Sequence, residues 1–65
     1  MPNYKIIDEE VYEEHLDKWK TVYKFGYETE NGFKVISHPY FNSGKEAVFD
    51  TLEEARKYQF DFALT

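Results

Sequence analysis

The strongest constraint on the fold is an alternating run that ends in a turn signal. Residues 20–29 place an aromatic or threonine side chain at every second position, a period that is typical of a β-strand. Asn31-Gly32 follows, and this pair readily supplies the two positive-φ positions of a type I′ turn. The sequence therefore predicts a β-hairpin over residues 20–29 and 33–38.

The same turn predicts how the side chains of the hairpin divide between two faces. With Asn31-Gly32 as the loop, Tyr27 faces Ile36 and Gly26 faces Ser37. Because successive side chains of a strand point to opposite faces, we assign the aromatic face to the core: Tyr23, Phe25, Tyr27, Ile36, His38 and Tyr40. The other face is mixed and carries Val22, Lys24, Gly26, Glu28, Phe33, Val35 and Ser37.

The flanking segments predict helices and short strands around this hairpin. Residues 4–7 are a short apolar run that favours a strand, whereas residues 8–18 separate apolar and acidic side chains with helical spacing. Residues 51–63 begin with a capping box, Thr51-x-x-Glu54, and continue with an apolar face. Residues 46–49 are a candidate further strand, and the sequence leaves open whether they join the sheet.

These elements predict a two-layer α+β fold with a small antiparallel sheet. Helices 8–18 and 51–63 are expected to pack on one face of that sheet, and residues 1–65 form a single domain. A chain of 65 residues without cysteine has neither disulfides nor thiolate metal sites to support a small core. Its thirteen aromatic residues, 20% of the chain, are the expected source of buried area.

The charge of the chain excludes several classes of partner. The formal net charge is −5, which argues against direct binding of nucleic acid or of anionic membranes, because both need clustered lysine and arginine. No apolar run approaches the length of a membrane span. We find no signal-peptide pattern at the N-terminus, so a cytoplasmic location is expected.

The acidic stretch DEEVYEEHLD, residues 8–17, is open to two interpretations. On a helix, its like-charged i,i+4 pairs cost together about 1 kcal/mol. The stretch is then either a solvated face that keeps the protein soluble or a patch that complements a basic protein surface. In the second interpretation the partner-binding carboxylates are Glu9, Glu10, Glu13, Glu14 and Asp17.

No catalytic or metal-binding pattern stands out. Ser37 and His38 are adjacent on a predicted strand and therefore point to opposite faces, so they cannot form a nucleophile–base pair with each other. Residues 42–45 lack the flanking glycine and hydroxyl of a phosphate-binding loop. His15 has no second ligand at helical spacing and is interpreted as a packing residue. We expect no enzyme activity, no cofactor and no metal.

An aromatic surface is the second candidate for a binding site. A domain of this size cannot bury all of its aromatic residues, and Tyr40 and Phe41 lie beside the turn at residues 42–44. Exposed aromatic side chains next to a turn are common anchors for protein partners. The alternative is that such residues only cover the edge of the sheet.

The run FDTLEEARKY resembles a pattern in which a β-meander leads into a helix that opens with T-L-x-E-A. Here the matching positions are Thr51, Leu52, Glu54 and Ala55. The small inhibitor of host RNA polymerase from T7-like phages has a similar pattern, as do HicB-like antitoxin domains. The resemblance carries over no functional residue, but it implies a small phage-type or mobile-element protein that acts by binding.

The sequence thus predicts a non-enzymatic, acidic protein-binding module, which in its sharpest form is an inhibitor that covers a basic, nucleic-acid-handling surface of a host protein. The alternative is a small structural or accessory protein that self-associates. In that case the mixed face of the sheet, with Val22, Phe33 and Val35, would be buried in a symmetric dimer.

Overall fold

A four-stranded antiparallel sheet and one α-helix make up the fold in the computed structural model, which describes residues 2–65. The strands are β1 (Lys5–Glu13), β2 (Lys18–Thr29), β3 (Gly32–Val35) and β4 (Val48–Phe49), and the helix is α1 (Leu52–Ala63). A 3-10 turn, Glu14–Leu16, lies between β1 and β2, and a tight turn with non-helical backbone angles, Asn42–Gly44, lies between β3 and β4. The predicted α+β class with a small antiparallel sheet is confirmed.

The long strand β2 is the centre of the sheet. Along one edge it pairs with the whole of β1, from Lys5 opposite Gly26 to Glu13 opposite Lys18. Along the other edge, β3 pairs with residues 26–29 and β4 with residues 23–24. The shorter strands therefore share one edge of β2 in succession, and the chain between them leaves the sheet as a loop.

A closed set of three backbone hydrogen bonds holds this junction together. The amide of Phe25 donates to the carbonyl of Ala47 at 3.0 Å, that of Ala47 to Ile36 at 2.8 Å, and that of Ile36 to Phe25 at 2.9 Å. Each of these residues thus satisfies a buried donor and an acceptor. Ala47 is completely buried there, so a larger side chain would compete with the neighbouring strands for space.

Helix α1 packs on one face of the sheet, which we call the inner face. The Thr51 side chain accepts a hydrogen bond from the amide of Glu54 at 3.2 Å, so the predicted capping box does start this helix. Ala55 and Tyr58 of the helix are buried. They meet a core in which Phe25 is 1% exposed and around which other aromatic side chains pack.

The opposite, outer face of the sheet has no helix on it within residues 2–65. Val22 is nevertheless buried, and it lies between the lysines of β2 on this face. Long lysine stems can cover apolar neighbours while their charges stay in water. Three ion pairs cross between strands here: Glu9–Lys24 at 2.9 Å, Glu13–Lys20 at 3.1 Å and Lys5–Glu28 at 3.4 Å.

The hairpin prediction is confirmed, but its register is different. Thr29 pairs with Gly32 and Tyr27 with Lys34, so the loop is Glu30-Asn31. Within this turn, residues 29–32, only Gly32 has a positive φ, of 112°. The Thr29 hydroxyl donates to the Gly32 carbonyl at 2.7 Å and accepts from the Asn31 amide at 3.1 Å, which stabilises this turn. Because the shift is by two residues, the predicted faces of the paired strands are kept.

The predicted helix 8–18 is wrong. Residues 5–13 form β1, which extends the short strand predicted at residues 4–7, and residues 14–16 form a turn. As a helix, this segment would bring its carboxylates into like-charged i,i+4 pairs. As a strand, it faces the lysine-bearing strand β2, where opposite charges across the strands stabilise the pairing.

The C-terminal predictions are largely confirmed. The helix predicted at residues 51–63 is α1, and residues 46–49 do join the sheet, through a bridge between Ser37 and Glu46 and through β4.

The assignment of Tyr40 to the core face of the hairpin is wrong. This residue lies beyond β3 in the loop and is 87% exposed.

Candidate functional site

The loop between β3 and β4 has a defined and unusual backbone. Asn42, Ser43 and Gly44 all have positive φ, at 51°, 57° and 76°, and a non-glycine residue pays a steric penalty in this region. The Asn42 side chain donates to the carbonyl of Glu46 at 2.9 Å, and the Ser37 hydroxyl donates to Gly44 at 3.2 Å. Such strained conformations persist where the surrounding contacts fix them, and they cluster at binding sites.

This geometry presents an aromatic surface. His38 stacks on Phe41 with ring centroids 4.5 Å apart, and its Nδ1 accepts a hydrogen bond from the amide of Tyr40 at 3.1 Å. Phe41 meets Tyr58 of α1 edge-on at 5.7 Å, and Phe49 lies 5.5 Å from the same ring. The loop therefore rests on the helix through aromatic contacts and leaves the Tyr40 side chain in solvent.

A groove runs between this loop and α1, which we call the aromatic–acidic groove. Its lining residues are Tyr40, Phe41, Asn42, Phe49, Glu54, Lys57, Tyr58 and Asp61. The helix contributes Glu54, Lys57, Tyr58 and Asp61, which are spaced i, i+3, i+4 and i+7 and so share one side of the helix. The ionised residues of the lining carry one net negative charge.

The charged groups of the groove are only weakly tied to one another. The Lys57 ammonium lies 3.1 Å from the Asp61 carboxylate, and the Lys57 side chain is 79% exposed. An exposed i,i+4 ion pair of this kind contributes little to stability. The Glu54 carboxylate accepts from the Thr51 hydroxyl at 2.9 Å. Both carboxylates are therefore available to a ligand at little energetic cost.

The Tyr58 hydroxyl is a buried polar group without a hydrogen-bond partner among the described residues. Burial raises the pKa of this phenol, and the nearby backbone of His38 opposes the shift in part. A buried hydroxyl that lacks a partner costs about 1–3 kcal/mol. Tyr58 thus combines a packed ring with a polar atom whose bonding capacity is unused.

The five carboxylates that were assigned to partner binding do not share one surface. Glu9 and Glu13 lie on the outer face in ion pairs with Lys24 and Lys20, and hydrogen bonds from Lys20 to Glu13 and Asp50 raise the pKa of that lysine. The other three carboxylates lie elsewhere: Glu10 is on the inner face beside Thr21, Glu14 is in the turn, and Asp17 accepts from the Tyr12 hydroxyl.

The end of the β1–β2 hairpin, residues 12–19, is a second exposed surface that we call the arm. Tyr12 pairs with Trp19 across the strands, with ring centroids 5.5 Å apart. Trp19 is 65% exposed and Leu16 is 54% exposed. The arm is apolar at its centre, and Glu13, Glu14 and Asp17 lie around that centre.

The sequence predicted part of the groove and missed its helical side. Tyr40 and Phe41 were assigned to partner binding, and the structure places both in the lining. The i, i+3, i+4, i+7 spacing from Glu54 to Asp61 is visible in the sequence and could have indicated a polar side of the helix. That this side faces the loop depends on the pairing of β4, which spacing alone does not reveal.

Residues 2–65 contain no group of three histidine, cysteine or acidic residues that could hold a metal ion. Among the same residues, no helix has the length and apolar character needed to cross a membrane. No protein-family model, curated protein or solved structure matches the chain.

Proposed function

We propose that this chain is a non-enzymatic protein-binding module whose partner presents a basic surface, and that the aromatic–acidic groove is the main contact. The observation that carries the proposal is the position of Tyr40, which is 87% exposed at the rim of a groove bearing Glu54 and Asp61. A large exposed aromatic ring beside a concave surface is the usual composition of a binding hot spot.

The net charge of the chain supports a basic partner. The formal charge is −5. On the outer face, Lys20 and Lys24 already form ion pairs with carboxylates of the same chain. The remaining negative potential would speed the association with a positively charged protein and orient it. In its most specific form, the proposal is a phage-type or mobile-element inhibitor that covers a basic, nucleic-acid-handling surface of a host protein.

The test compares two double variants with the same change in charge. We expect Glu54→Gln with Asp61→Asn to weaken binding of a partner captured from an extract of the source organism and then purified. Asp8→Asn with Glu14→Gln, on the β1–β2 hairpin, should have a smaller effect. Binding of the wild type should weaken steeply as salt rises from about 0.05 M to about 0.5 M, because screening shortens the range of charge attraction.

Each outcome decides between the surfaces. Loss of binding only in the hairpin variant would move the contact to the β1–β2 hairpin and its carboxylates, among them Glu10 and Asp17. Binding that is independent of salt and of both variants would overturn the proposal of an acidic contact. A variant with Tyr40→Ala separates the aromatic contribution from charge, and it should keep the fold because Tyr40 is exposed.

Self-association through the outer face is the second candidate function, since no helix of the described chain covers that face. Val22, Phe33 and Val35 lie there as the sequence predicts. The three cross-strand ion pairs make the face less apolar than a typical dimer interface.

If the chain self-associates through this face, light scattering at high micromolar concentration should give twice the 7.9 kDa chain mass. A strict monomer would exclude this candidate.

A further inference from the structure

We infer that the aromatic–acidic groove binds an arginine side chain of the partner. This inference rests on the proposed function and makes it more specific, because it names the chemical group that the groove receives. It draws on three features of the site: exposed aromatic faces, carboxylates with little other bonding, and an internal cation that already occupies the rim.

The aromatic faces favour a flat cation. Tyr40 is largely in solvent, with the His38 ring 5.7 Å from it, and Phe41 and Phe49 line the same groove. A guanidinium is planar, stacks on aromatic rings and is less strongly hydrated than an ammonium. An acidic side chain would be repelled by the negative faces of these rings, and a neutral side chain would lack the electrostatic attraction that a cation gains there.

The carboxylates supply the directional part of the contact. Glu54 and Asp61 are seven residues apart, so they are separated by about 10 Å along the helix axis. One guanidinium can therefore bond only one of them through both of its parallel N–H groups. Asp61 is the better candidate, because the Glu54 carboxylate already accepts from Thr51. Glu54 then adds longer-range attraction.

Lys57 shows that this position accepts a cation. Its ammonium lies 3.1 Å from Asp61, yet its side chain is 79% exposed, so it can move away without leaving a buried charge behind. An arginine from a partner would replace this single contact with two parallel ones. Lys57 consequently acts as a competitor, and its removal should strengthen the binding of arginine.

The experiment uses a short peptide in place of the unidentified partner. The full chain, labelled with ¹⁵N, is titrated with Ac-Gly-Arg-Gly-NH₂ and followed by NMR. The matched control replaces arginine with citrulline, which has nearly the same shape and no charge. We expect saturable shifts at Tyr40, Phe41 and Asp61, and about tenfold weaker binding of the citrulline peptide, because its hydrogen bonds lack the charge of the guanidinium.

Two variants should change the affinity in opposite directions. Asp61→Asn should weaken binding of the arginine peptide by about fivefold or more through loss of the charged acceptor, whereas Lys57→Gln should strengthen it by about twofold. Both positions are on the surface of the helix, and the amide shifts remote from the groove report whether the fold is unchanged. A structural role for either residue would not produce this opposition.

Several results would overturn the inference. Equal binding of the citrulline peptide would remove the role of charge, and equal binding of a lysine peptide would remove the selectivity for guanidinium. Shifts confined to the arm would place the basic contact elsewhere. If a purified partner loses affinity in the groove variants while the arginine peptide does not bind, the protein-binding function stands and the arginine assignment fails.

Discussion

Replacing Phe25 with alanine should remove most of the free energy of unfolding and leave the protein only marginally folded at room temperature. The Phe25 side chain is 1% exposed and lies 5.4–5.8 Å, centroid to centroid, from the rings of Tyr4, Tyr58 and Phe62. Truncation of a fully buried phenylalanine costs about 3–5 kcal/mol. A domain of this size has a total stability near the lower end of the usual range, about 5 kcal/mol.

Urea unfolding followed by circular dichroism measures this effect, and Phe60→Ala is the matched control. Phe60 is 64% exposed, so its removal should change the free energy of unfolding by less than about 0.5 kcal/mol. A cooperative transition of the Phe25 variant with near wild-type stability would show that the core does not depend on this ring.

The structure of the hairpin and of α1 followed from local signals in the sequence. The alternation over residues 20–29 and the capping box at Thr51 each act within a few residues, and both predicted the right element. The predicted hairpin register was wrong by two residues, but this error had little effect on the predicted faces. A shift of two residues leaves each side chain on its predicted face, so Phe25 was still assigned to the core.

The first third of the chain could not be assigned from local signals, because its decisive contacts are remote. Residues 8–18 satisfy a helical wheel, and their polar and apolar side chains do not alternate in a way that would have indicated a strand. What decides between the two is the pairing with β2, for example the Glu9–Lys24 contact between residues fifteen positions apart. An analysis of neighbouring residues finds repulsion between the acidic side chains. It does not include the lysines of β2, which are distant in sequence and neutralise those side chains in the folded chain.

The same limit applies to the proposed binding groove. Tyr40 and Phe41 were identifiable from their position beside a turn, and Glu54 and Asp61 from their spacing on a helix. The two pairs come together because Ala47 and β4 return the chain to the sheet and thereby place the loop beside α1. A site assembled from two separated segments is therefore visible only after the pairing of the strands is known.

Replacing Gly26 with alanine should destabilise the sheet by about 3 kcal/mol, at the upper end of the range for overpacked sites. Gly26 is buried opposite Val35. A Cβ at this position would overlap the carbonyl oxygen of Lys34 and come within 3.0 Å of the Phe33 ring. The ring can rotate away, but the carbonyl belongs to the paired strand, so relief requires β2 and β3 to separate.

Hydrogen exchange and thermal unfolding of Gly26→Ala test this prediction. Amides of β3 should lose protection first, and the double variant with Phe33→Ala should not recover stability, because the backbone overlap remains. Lys34→Ala is the control, since it alters an exposed side chain on the same strand and leaves the carbonyl in place. If Gly26→Ala were as stable as this control, the close approach of β3 to β2 would not be a determinant of the fold. The loop and the groove that follow β3 depend on that approach, so a separated sheet should also lose binding of the arginine peptide.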